Sequence, residues 1–110
     1  MEITINFKEE KEILHVLVKG EIDAYTAPKL RDKLDAIEIE EKANIAIDLS
    51  EVTYIDSTGL GVFVAFYKRA TRETAHVRLV GLSERIKRLF EITGLSDLMD
   101  IDTDKKVELS

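Results

Sequence analysis

The sequence predicts an α/β domain on a mixed sheet: an N-terminal antiparallel hairpin, then helices and strands in alternation, β-β-α-β-α-β-α-β. Three observations carry this prediction. Two apolar stretches near the N-terminus are only a few residues apart, close enough to pair as a hairpin. Further on, short apolar runs alternate with stretches whose apolar residues recur three and four apart, the spacing of a helix with one buried face. The chain has 110 residues with no internal repeat or linker, so residues 1–110 are expected to form a single domain with a polar tail from about 102.

Ile3, Ile5 and Phe7 alternate with Thr4 and Asn6, so residues 2–8 read as a half-buried strand. Glu9 to Glu12 reads as a solvated turn. Ile13 to Val18 is apolar almost throughout, which predicts a strand covered on both sides. Gly20 to Pro28 reads as a loop entering a helix, with Thr26 as the cap and Pro28 in the first turn, where a missing N–H costs little. Leu30, Leu34 and Ile37 mark the buried face of that helix, and Arg31, Asp32, Lys33 and Asp35 its solvated face. Ala43 to Leu49 is the next strand, with Asp48 near its end. A helix over about Ser57 to Arg72 turns Leu60, Phe63, Val64 and Tyr67 to one side. His76 to Val80 is a short strand, and Ser83 caps a third helix that points Ile86, Leu89 and Phe90 inward. Gly94 stops that helix as a left-handed residue, with Leu95 packing back, and Leu98 to Ile101 is a last short strand. Crossovers in such a sheet are right-handed, and function gathers at the carboxyl ends of the parallel strands.

Composition narrows the function. There is no cysteine, hence no disulfide and no thiolate metal site. The net charge is −6 and the basic residues are interspersed with acidic ones, which argues against nucleic acid as a partner. Met1 to Asn6 lacks the basic head and apolar block of a signal peptide, and no apolar run has membrane-spanning length. A soluble cytoplasmic protein is expected, with no membrane partner.

The stretch Asp56-Ser57-Thr58-Gly59-Leu60-Gly61 stands where a strand gives way to a helix, at the functional rim. Asp56, Ser57 and Thr58 are cap-type residues, since short polar oxygens satisfy orphan N–H groups. Gly59 and Gly61 each cost about 1 kcal/mol in a helix relative to alanine, which suggests a bare surface that something approaches closely. Catalysis has little support. Ile55 stands where a nucleophile elbow needs glycine, no lysine completes a phosphate-binding loop, and both histidines, His15 and His76, fall in or at the ends of predicted strands. No catalytic residue, metal or cofactor is expected, and Asp56 opposes phosphate binding at the helix start. A remaining use is that Ser57, or Thr58 beside it, receives a phosphate. Asp23 reads as a second cap or a solvated loop carboxylate.

Three segments carry a resemblance: Gly20-Glu21-Ile22-Asp23, Asp56-Ser57-Thr58-Gly59-Leu60-Gly61-Val62-Phe63, and Leu82 through Leu95. Together, from Ile3 to Ile101, they resemble the bacterial anti-sigma factor antagonists, single STAS domains, and within them the general-stress branch. The resemblance implies a partner switch. The unmodified protein would bind an anti-sigma factor that is a serine kinase, freeing a sigma factor. The kinase would phosphorylate Ser57, with Thr58 as the alternative, and a serine/threonine phosphatase would reverse this. ATP would be the kinase's ligand. Asp23 matches an acidic loop residue near the switch serine. Asp56, Ser57, Thr58, Gly59, Leu60 and Gly61 would form the docking surface, with Leu60 equally placed to be core. A scaffold of the same fold that is never phosphorylated, or a nucleotide or small-molecule sensor, is the alternative.

Overall fold

The computed structural model describes residues 2–97 and 100–102. Strands β1 (Ile3–Glu10), β2 (Ile13–Ile22), β3 (Asn44–Ile55), β4 (His76–Val80) and β5 (Asp100–Asp102) form one sheet in sequence order. β1 and β2 are antiparallel and every later neighbour is parallel. Helices α1 (Ala27–Asp35), α2 (Ser57–Arg72) and α3 (Glu84–Ile92) make the crossovers, and a 3-10 turn, Leu95–Asp97, precedes β5. The hairpin, the mixed sheet and the element order are those the sequence predicts.

Because the strands cross the sheet in order, right-handed crossovers place all three helices on one face. The core agrees. A single cluster gathers alternate strand residues, such as Val16 and Val18, Ile45 and Ile47, Val77 and Leu79. The helices add Leu30 and Leu34, Phe63 and Phe66, and Ile86 and Phe90. This corrects the expectation that Ile13 to Val18 is covered on both sides. Val16 and Val18 are fully buried, whereas Ile13, His15 and Leu17, on the other face, are only half-buried.

Three boundaries also differ. The hairpin turn is Lys11-Glu12 alone, because Glu9 and Glu10 pair with Leu14 and Ile13. Gly20 to Ile22 belong to β2 and not to a loop. β3 runs six residues past Leu49, to Ile55. Its second half escapes the sequence pattern because two register shifts against β2 each insert an extra residue. The buried positions therefore fall at Ile45, Ile47, Leu49, Val52 and Ile55, drifting from every second to every third residue. Asp48 is thus mid-strand, where its carboxylate accepts the Ser50 N–H at 2.8 Å.

Arg69 of α2 ties the two neighbouring helices. Its guanidinium donates to the carbonyls of Leu34, Asp35 and Ile37 at the end of α1, where the helix dipole favours a cation. It also pairs with the Asp35 carboxylate at 3.5 Å and lies over the Phe66 ring. Ser83 caps α3 as expected, accepting the Ile86 N–H at 3.3 Å. Gly94 has φ +81°, and Leu95 packs against the core. Of the predicted last strand, Asp100 and Ile101 lie in β5; Leu98 and Met99, and the tail from 103 onward, lie outside the described residues.

Candidate functional site

β2 and β3 run parallel and end in register, Ile22 opposite Ile55. The next residue of each chain segment is an aspartate, Asp23 and Asp56. The Asp56 N–H donates to the Ile22 carbonyl at 3.1 Å, so the two loops leave the carboxyl end of the sheet side by side. The rim forms there because a parallel pair releases both chains at the same end.

At the start of α2, Asp56 is the cap. It is extended, with φ −112° and ψ −173°, and its Oδ1 accepts the N–H groups of Thr58 at 2.9 Å and Gly59 at 3.2 Å. Such a cap is worth about 1 kcal/mol. Ser57 and Thr58 are therefore the first two helical residues, and both are exposed. Among the described residues, no group hydrogen-bonds either hydroxyl. Neither histidine reaches this rim: His15 pairs with Ala46, and His76 with Asn44 at the opposite end of β3. The arrangement presents an acceptor hydroxyl at a helix start, beside a carboxylate already engaged by backbone.

The two glycines have opposite explanations. A Cβ at Gly59 would lie 2.4 Å from Ile22 Cγ2 and 2.9 Å from Ile55 Cγ1. What approaches Gly59 closely is the protein's own interior, where α2 sits down on the ends of β2 and β3. Gly59 is buried and is corrected from docking surface to packing junction. Leu60 resolves the same way: at 6% exposure it belongs to the core cluster. Gly61 is exposed, and a Cβ there would meet nothing within 4 Å.

In the other loop, the Asp23 carboxylate accepts the N–H groups of Tyr25 at 2.9 Å and Thr26 at 3.0 Å, and its carbonyl accepts that of Ala27. The Thr26 N–H above all, then those of Tyr25 and the Thr26 hydroxyl, hold the Asp23 carboxyl below its ordinary pKa, partly offset by lost hydration. Thr26 does not cap α1 through its side chain, contrary to expectation. Its backbone is already helical, with φ −95° and ψ −21°. Its buried hydroxyl instead donates to the Glu21 carbonyl at 2.7 Å and accepts the Asp23 N–H at 2.9 Å. Pro28 is in the first turn, as expected.

Sequence reasoning passed over Tyr25, which is 92% exposed between Asp23 and Thr26. The available signal was an aromatic in a tight polar turn, where the loop has no interior to offer it. Among the described residues no group of three acidic, histidine or cysteine side chains could hold a metal ion, and no helix is long and apolar enough to cross a membrane.

Residues 4–109 match the family described as STAS domain. The chain is 49% identical over 102 residues to the anti-sigma-B factor antagonist of Listeria monocytogenes, an alignment covering 92% of this chain and 90% of that protein. It is 46% identical over 101 residues to the anti-sigma-B factor antagonist of Bacillus subtilis, covering 92% of each. The crystal structure of an anti-sigma factor antagonist from Mycobacterium paratuberculosis matches with a TM-score of 0.82 at 29% identity, over 92% of this chain and 86% of that one. Fold and sequence agree over nearly the whole length, and the chain belongs to the STAS-domain family of anti-sigma factor antagonists.

Proposed function

We propose that this protein frees a sigma factor by partner switching at Ser57. In the unphosphorylated state its rim, formed by the Asp23 loop and the first turn of α2, docks on an anti-sigma factor with serine kinase activity. The kinase transfers the γ-phosphoryl group of ATP to Ser57 Oγ. ADP leaves, the hydroxyl proton is lost, and the modified protein dissociates. A serine/threonine phosphatase hydrolyses the ester and restores the binding form. The protein is the substrate in this cycle and not a catalyst, and the cycle runs in the bacterial cytoplasm.

The observation that carries this reading is the Ser57 hydroxyl: exposed, free of any partner among the described residues, and held at a helix start by the Asp56 cap. A phosphate there adds about −1.5 to −2 charges. The helix dipole stabilises it by about 0.3–1 kcal/mol, while Asp56 and Asp23 repel it. These effects offset each other, so the fold persists. The docked interface responds far more, because burying an unpaired double charge costs several kcal/mol and each 1.4 kcal/mol is tenfold in affinity.

The test is phosphosite mapping after incubation with the cognate kinase and ATP, with binding of variants read in parallel. One phosphate on Ser57 is expected. Ser57→Ala should stay bound when ATP is added, and Ser57→Asp should bind about 100-fold more weakly. Phosphate on Thr58, or ATP-driven release of Ser57→Ala but not of Thr58→Ala, would move the switch by one residue. No phosphate on either would sink it.

A further inference from the structure

An open groove of about 580 Å³ lies at the other end of the sheet from Ser57, where β2 and β3 begin. Its size is that of clefts that hold ligands or peptide side chains. Its apolar lining includes Phe7, 42% exposed, with half-buried Leu14 and Ile39. The same lining carries five glutamates, Glu38, Glu40 and Glu41 among them, against one lysine, Lys42. We propose that this groove docks a basic amphipathic peptide segment of a second protein, with apolar side chains flanked by lysine or arginine.

The apolar lining residues supply the burial that holds such a segment, and the glutamates select its charge. Opposite potentials across an interface favour the right partner and speed its encounter, while like charges face a penalty. A second copy of this chain fits poorly, because each copy carries a net charge of −6 and would bring acidic surface to an acidic groove. The ten residues of β2 separate the groove from the Ser57 rim by about 30 Å. One molecule can therefore hold both partners at once, and the groove does not depend on the reading of Ser57.

The test is selection of random 12-residue peptides displayed on phage against the full chain, followed by fluorescence polarisation with the enriched peptides made synthetically. Enriched peptides should pair Lys or Arg with Leu, Ile or Phe. Glu40→Lys/Glu41→Lys, two exposed loop positions whose reversal leaves the core untouched, should weaken binding about tenfold at low salt. Ile39→Ser should weaken it too, and Ser57→Asp should leave it unchanged. No enrichment, enrichment without basic residues, or indifference to the charge reversal would overturn the proposal. So would sedimentation showing a dimer that Ile39→Ser dissolves, which would give the groove to a second copy.

Discussion

The loops that begin at Asp23 and Asp56 leave the same end of the sheet, and each sets a hydroxyl near an aspartate, yet they do opposite things. At Asp23 both the carboxylate and the neighbouring hydroxyl are engaged within the loop. The carboxylate takes two loop N–H groups, and the buried Thr26 hydroxyl both donates and accepts. At Asp56 the carboxylate takes two helix N–H groups and leaves the Ser57 hydroxyl exposed with no partner among the described residues. The first loop is a built turn and the second offers a group to another molecule. Residue type does not distinguish them; the state of partnership does.

The junction between the loops should be the most sensitive point. Gly59→Ala presses a methyl against Ile22 and Ile55, and overpacking of this kind should cost about 3 kcal/mol in urea unfolding. Gly61→Ala, two residues on and open to solvent, should instead stabilise by about 1 kcal/mol. Equal effects at both positions would break the division into an inner and an outer glycine.

Thr26→Val comes next, at about 2 kcal/mol, since it strands the Glu21 carbonyl and the Asp23 N–H. Ser57→Ala should stay within about 0.5 kcal/mol, as expected of an exposed site. A large loss at Ser57 would mean that its hydroxyl is structural and would erase the contrast. Asp56→Ala should cost about 1 kcal/mol through the lost cap.

The smallest effect concerns acid. The Asp23 pKa is held down in the folded state, so its contribution is complete above the unfolded carboxylate value and is lost as pH falls through the lower folded value. The stability difference between the protein and Asp23→Asn should therefore be present at neutral pH and vanish on acidification. A difference that grew on the acid side would reverse the assigned direction.

The order of elements, the antiparallel hairpin, the Ser83 cap and the Gly94 stop were legible because each depends on a few neighbouring residues. The span of α2 was legible for the same reason, although Val62, Phe66 and Ala70 join its buried face beyond the residues the simple spacing marks. The extension of β3 was hidden because its two register shifts break the alternation that reveals a strand. Gly59 was misread because a glycine near a helix start looks the same whether the space beside it is solvent or Ile22.

Local pattern thus encodes which residues seek burial, where helices start and stop, and which segments carry polar oxygens at the rim. It places Asp56, Ser57 and Thr58 where a strand gives way to a helix, and reads Asp23 as a cap or a solvated loop carboxylate. It could not say which of those oxygens would be occupied. That follows from contacts between segments far apart in sequence: Ile22 against Gly59, the Asp56 N–H on the Ile22 carbonyl, and Arg69 on the end of α1. A hydrogen bond or a close packing contact is a property of two partners, and the second partner's position is settled only when the chain has folded.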